Sequence, residues 1–286
     1  MRYIANRLLL VLCLLAISAL SRADASPNTT AHLLQLSGIS RQVEEFPRLI
    51  KEGMLQSKQT GNNIKDDTFN AMLATVDDSL NTSAMLEEIG RKLGPTLNND
   101  ETKVVLSWYE SRPGKLITAA EEHASTPEAY NEMIQQSDLL MKDRRRIDYA
   151  RSLDELLGAT QFTLDLHTHT QLAVISAFSS ALEPDTQTQL EIYKAQVKQQ
   201  VESLRTDIEQ FVILSFLYSY QAIGDDDLKR YREFLETPEA RTFNRVTMQG
   251  ISETLQRAIA VLAKRIAEIK IDKPVSPGVG KDDIFI

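Results

Sequence analysis

Trp108-Tyr109-Glu110-Ser111-Arg112-Pro113-Gly114-Lys115 returns 126 positions later as Phe234-Leu235-Glu236-Thr237-Pro238-Glu239-Ala240-Arg241. The likeness begins earlier, where Asp100-Glu101-Thr102-Lys103 is matched by Asp226-Asp227-Leu228-Lys229. Apolar residues recur at helical spacing in both copies. They are Val105, Trp108 and Tyr109 in the first and Leu228, Tyr231, Phe234 and Leu235 in the second, so the same face is buried twice. Ser111 and Thr237 read as N-caps, with Pro113 or Pro238 at the first or second position of the helix that follows. The small residues Gly114 and Ala240 are expected to let another helix pack close. Each copy is therefore a helix corner, and a corner built twice points to a repeated helical unit.

The likeness extends upstream. Leu33-Leu34-Gln35-Leu36-Ser37-Gly38 is similar to Leu153-Asp154-Glu155-Leu156-Leu157-Gly158, at a shift of 120. Copies over about 31–125 and 151–251 fit both offsets, which divides the chain into a first repeat at 26–148 and a second at 149–272. With only 11 glycines and 9 prolines, punctuation is sparse and falls mostly between helix-period stretches. Helices are expected over 30–38, over 43–54 with a kink or restart at Pro47, through Phe69 to Val76, and through Met85 to Leu93, where Gly94-Pro95 ends the last of them. The linking stretch 127–146 also reads as helical. An apolar stripe at Leu190, Tyr193, Val197, Val201, Leu204, Ile208 and Phe211 predicts one long helix, or two joined near Ser203, bracing both halves. A last helix runs over 240–269, and the tail at 273–286 should be loose. The expected fold is all-α: a bundle of two degenerate helical repeats around a long shared helix.

Residues 1–25 read as a cleaved signal peptide. Arg2 and Arg7 precede the apolar run Leu8 to Leu20, and Ala23-Asp24-Ala25 supplies a cleavage pattern. That run is shorter than the ~20 residues a spanning helix needs. The only cysteine, Cys13, lies within it, so the exported chain has no thiol. Cysteine nucleophiles, disulfides and thiolate zinc sites are excluded from it. The segment carries three basic residues and one acidic, so its removal takes the net charge from −8 to −10. That balance disfavours nucleic acid and anionic membrane as partners. Periplasmic or secreted location follows, with no membrane span after signal removal.

The paired aromatic-aromatic-x-Ser/Thr corners resemble the hallmark of the domain-of-unknown-function 2059 family, an aromatic-aromatic-x-Ser-Pro-x-Gly motif. The second copy keeps the proline in register at Pro238 but has Ala240 for glycine and Leu235 for the second aromatic. The first keeps Gly114 and places its proline at Pro113. The resemblance implies an exported, helical bacterial protein and carries over no catalytic residue.

Asp165-Leu166-His167-Thr168-His169 holds the metal-ligand candidates. On a helix Asp165 and His169 share a face at i, i+4, while His167 is turned about 200° from each. The basic run Lys142-Asp143-Arg144-Arg145-Arg146 reads as a solvated helix face that pairs with carboxylates. Asp225-Asp226-Asp227 suits a helix N-terminus. Residues 211–220 are apolar nearly all round, which marks a central buried helix or the lining of a cavity for a greasy ligand. Trp108, Tyr109, Ser111, Pro113, Gly114, Phe234, Thr237, Pro238 and Ala240 are read as structural. No cofactor is expected. The functional expectation is a non-enzymatic binding or interaction module of the envelope, acting through an envelope protein or through self-association. A carrier of a small apolar ligand or lipid is the first alternative, and a metal-dependent hydrolase using Asp165, His167 and His169 the second.

Overall fold

The computed structural model describes residues 26–59, 65–179 and 187–269, and among them every regular element is a helix. In chain order these are α1 (Pro27–Leu36), α2 (Ile39–Gln59), α3 (Asp66–Ser79), α4 (Thr82–Thr96), α5 (Asn99–Glu110), α6 (Arg112–Ala124) and α7 (Pro127–Leu140). They continue with α8 (Arg144–Leu157), α9 (Ala159–Ser179), α10 (Gln187–Ser203), α11 (Arg205–Ser219), α12 (Asp225–Leu235) and α13 (Pro238–Glu268). The signal segment at 1–25 and the tail at 273–286 lie outside the described residues.

Local chemistry sets most boundaries. Ser26, Asn81, Ser111, Thr126, Asp143 and Thr237 each accept a hydrogen bond from a backbone N–H of the helix that follows, as N-caps do. Asn98 and Glu101 form a reciprocal capping box at the start of α5. Gly38 (φ 76°) and Gly158 (φ 66°) are the only described residues with positive φ, and each joins two helices, α1 to α2 and α8 to α9. They are the two glycines matched by the shift of 120, and the left-handed turn explains why glycine stands at both.

Two expectations are corrected and a third is extended. Pro95 does not end α4, which continues to Thr96. Likewise α2 does not restart at Pro47 but runs through it to Gln59. The 190–215 stretch is two helices, α10 and α11, joined at Leu204 close to the expected Ser203, and α11 packs on α6 and α7 of the first half and on α8 and α9 of the second, but it is not alone in joining the halves. So does α13, which packs on α3, α4 and α5 of the first half and on α8, α9 and α12 of the second. Gly250 on α13 makes its approach to α4 possible, because a Cβ there would lie 3.1 Å from the Ile89 side chain. Gly90 of α4 does the same for α1, where a Cβ would lie 3.3 Å from Thr30 Oγ1, and sequence spacing marked neither glycine.

The helices pair in a repeating pattern. Within the first half α1 packs on α2, α4 and α5, and α2 on α3 and α4. Within the second half α8 packs on α9, α11 and α12, and α9 on α10 and α11. Between halves α13 packs on α4 and α5, while α6 packs on α11 and α12. The sixth helix of each half therefore lies on the fourth and fifth helices of the other, and α7 is the connection. One continuous core results, running from Leu33 and Ile89 through Ile117 and Leu153 to Phe243 and Leu262.

Candidate functional site

The two corners meet at the centre. Ser111 Oγ and Thr237 Oγ1 each donate to the carbonyl three residues back, Trp108 at 2.5 Å and Phe234 at 2.7 Å. Each hydroxyl also accepts from the N–H three residues on, Gly114 at 3.1 Å and Ala240 at 3.2 Å. Trp108 stacks on Phe234 with centroids 4.6 Å apart and planes 9° from parallel, and on Tyr231 at 5.8 Å. Tyr109 meets Phe234 and Phe243 edge-on. Gly114 serves the corner itself: a Cβ there would fall 2.0 Å from the Trp108 carbonyl oxygen. The expectation of a second helix packed against Gly114 is thereby replaced by a contact within its own turn. Pro113 and Pro238 lie within the first two positions of α6 and α13, as the capping pattern required.

Beneath this stack lies a group that the sequence reading missed. Glu121 on α6 accepts hydrogen bonds at one carboxylate oxygen from Tyr220 (2.5 Å) and Tyr231 (3.0 Å). The residue is half-buried, but its carboxyl sits deep among the rings of α11 and α12. Burial raises its pKa above the ordinary range despite the opposing effect of the two hydroxyls, and neighbouring Glu122 adds to the rise. Burial also pushes up Tyr109, Tyr220 and Tyr231, with the Glu121 charge reinforcing each. The signal was present in the spacing. Gly114, Ile117 and Thr118 are buried on α6, and Glu121 is the next residue on that stripe.

Beside the cluster, Arg146 is half-buried and donates to the carbonyls of Tyr220 (3.4 Å) and Ile223 (2.9 Å) while pairing with Asp225 at 3.1 Å. Arg145 also pairs with Asp225. The basic run thus binds the N-terminus of α12, in line with the charge pairing read from sequence. Tyr149 donates to the Leu228 carbonyl at 2.7 Å, and with Arg145, Lys229 and Arg232 it lines a shallow cleft of about 340 Å3.

Asp165, His167 and His169 all lie on α9. Asp165 accepts from Gln161 at 2.8 Å, and His169 is hydrogen-bonded to Gln256 of α13, while His167 is exposed on another face. Among the described residues no group of three or more histidine, cysteine, aspartate or glutamate side chains is placed to hold a metal ion. Asp165 and His169 instead border a cleft of about 560 Å3 between the α8–α9 turn and α13. Arg241, Asn244 and Arg245 of α13 form its other wall.

The apolar stretch 211–220 is mostly interior. Val212, Ile213, Leu214, Leu217, Tyr218 and Tyr220 are buried against α6 to α9. A hollow beside it, lined by Tyr149, Phe216 and Tyr220 among others, measures about 10 Å3, room for one water at most. Phe211 is the exception. It is 43% exposed and contacts Tyr130 of α7, itself 51% exposed, at 6.1 Å. Ile134, one turn along α7 from Tyr130, is also exposed.

No family model matches this chain, and neither a curated protein nor a solved structure does. Among the described residues no helix is long and apolar enough to cross a membrane.

Proposed function

We propose that the chain is an exported, non-enzymatic binding and interaction module of the bacterial envelope, built from two degenerate copies of a six-helix unit. The observation that carries the interaction role is the exposed pair Tyr130 and Phe211, extended by Ile134. Large apolar side chains grouped at the surface mark contact sites more often than chance exposure does, and aromatic residues supply most of the energy at such sites. The group sits on α7 and α11, so it involves the one helix that belongs to neither copy. Duplication is supported by the matched glycine turns, the equivalent corner hydrogen bonds and the reciprocal packing of α6 and α13. Export rests on the signal pattern of residues 1–25, and the family resemblance agrees with it.

A second reading, carriage of a small apolar ligand, gains support away from 211–220. A cleft of about 570 Å3 between α1 and α4 is walled by Ala31, Leu34, Leu86, Gly94 and Pro95. Its size suits a small molecule.

Site-specific photocrosslinking from position 130 in intact cells tests the interaction role. The expected result is a discrete adduct with one envelope protein or with a second copy, lost in a Phe211→Lys chain. Adducts no more discrete than those from the exposed position 103 would reject this surface as a contact site. A cytoplasmic location of the processed chain would reject the envelope assignment.

A further inference from the structure

The polar groups lining the cleft between α13 and the α8–α9 turn divide into two sets. The first satisfy one another: Gln161 with Asp165, Gln256 with His169, and Gln249 with Glu253, which also pairs with Lys92 of α4. The remaining ones include Arg241, Asn244 and Arg245, which occupy about one turn of α13, and Glu155 of α8, which lines the same cleft. None of these four side chains has a hydrogen-bond or ion-pair partner among the described residues. Elsewhere on α13 Glu253, Arg257 and Arg265 each have a partner on another helix, while Glu239, Lys264 and Glu268, like the exposed Arg241 and Arg245, have none among the described residues. Arg241 and Arg245 are like charges at i, i+4 with no ion pair to Glu155 within 4.0 Å, and an anion held between them relieves their repulsion.

The remaining groups select the kind of anion. Leu156, Phe162 and Met248 give the cleft an apolar floor. An added Cβ at Gly158 would meet nothing within 4 Å, so the approach over the turn is open. Glu155 accepts hydrogen bonds and donates none, and Asn244 does both. A fatty acid leaves both of them without partners, and a phosphate or dicarboxylate meets the charge of Glu155. A peptide supplies a carboxylate for the arginines, N–H groups for Glu155, an amide for Asn244 and an apolar side chain for the floor.

We propose that this cleft binds the C-terminal end of a short peptide, with Arg241 and Arg245 gripping its carboxylate, Asn244 and Glu155 its last amide groups, and the floor its apolar last side chain. The volume of about 560 Å3 accommodates a few residues. The site is separate from the Tyr130–Phe211 surface, so neither proposal depends on the other.

Calorimetric titration of the full exported chain tests it with the tripeptide Ala-Ala-Leu, its C-terminal amide, Ala-Glu-Leu amide and inorganic phosphate. The free acid should bind saturably, and its amide at least about ten-fold more weakly. An Arg241→Gln/Arg245→Gln chain should lose the same factor while retaining its helical circular dichroism and melting temperature. Preference for Ala-Glu-Leu amide over Ala-Ala-Leu would move the recognised carboxylate to a side chain and overturn C-terminal recognition. Equal binding of acid and amide, saturable phosphate binding without peptide binding, or no heat with millimolar peptide would overturn the proposal outright. The amide comparison uses the unaltered protein, so it stands even if the double variant fails to fold.

Discussion

Trp108 stacks on Phe234, the residue that occupies its place in the other corner. The stacked pair thus joins α5 of the first half to α12 of the second, beside the contacts of α6 with α12 and of α13 with α5. The pair should therefore be energetically coupled across the halves. Trp108→Ala and Phe234→Ala are each expected to cost about 3 kcal/mol through the cavity left behind. The double variant should cost less than the sum by roughly 0.5–1.5 kcal/mol, the part that belongs to the stacked pair. Urea denaturation of the four chains checks this, and strict additivity would sink it.

The corners differ in the room left at the third residue after the cap. At Gly114 a Cβ collides with the Trp108 carbonyl, whereas Ala240 carries a Cβ in the matching place and is fully buried. The N-cap ψ is 161° at Ser111 and 147° at Thr237. Gly114→Ala should destabilise by about 2 kcal/mol or more, because backbone on both sides of the turn must move. Ala240→Gly should cost only about 1 kcal/mol, the ordinary penalty of glycine in a helix. Thermal melts of the two variants decide it. Equal losses would mean that the collision relaxes at little cost.

The sequence carried the helical class, the corners and the glycine turns because each is local chemistry: a cap, a proline position, a left-handed residue. It also placed the charge partners of Arg145 and Arg146 correctly in kind. It assigned the central helix to 190–215 because that stripe is unusually regular. Centrality is a property of packing: α11 does touch both halves, but α13 touches both as well, packing on six helices. The Asp165, His167 and His169 group was visible as residue types, yet one helix turns His167 away, so the face of α9 became half of a cleft wall whose other half is 72 or more positions distant. Arg241, Asn244 and Arg245 showed no signal of their own, since an unpaired arginine is recognised only once every neighbour is known. Glu121 lay on a readable stripe and was passed over because glutamate on a helix is ordinarily solvated.

Arg145 and Arg146 look alike in sequence and should behave differently. The Arg145 side chain is 72% exposed and pairs with Asp225 in solvent, where an ion pair is worth little. The Arg146 side chain is 23% exposed and satisfies carbonyls of Tyr220 and Ile223 just beyond the end of α11. Arg145→Ala is expected to change stability by less than about 0.5 kcal/mol, and Arg146→Met to cost about 2 kcal/mol, chiefly by leaving the Ile223 carbonyl without its Arg146 donor, since the Tyr220 carbonyl keeps the Ile223 N–H at 2.9 Å. Raised salt should weaken the Arg145 contribution first. Denaturation midpoints for both variants at low and high salt test the ranking, and a reversed order would refute it.

Glu121 should give the protein a pH dependence that runs against its other acids. Its pKa is raised in the folded chain, chiefly by burial, above the 4.5 of an ordinary glutamate. The folded state therefore holds this proton more tightly than the unfolded state does. The resulting stability is complete below about pH 4.5 and is lost as pH rises through the native value. Surface acids such as Glu253, whose pKa is lowered by its Lys92 partner, act in the opposite sense. The wild-type profile alone thus mixes the two, and the difference from Glu121→Gln isolates the buried group. Glutamine keeps an oxygen for the Tyr220 and Tyr231 hydroxyls and has no proton to lose. The Glu121→Gln chain should accordingly gain stability on the wild type between about pH 5 and pH 8, measured as the difference in urea midpoint. A difference that stays constant across that range would mean that Glu121 ionises in the folded protein as freely as in water, and the tyrosine-lined cluster would have no hold on its proton.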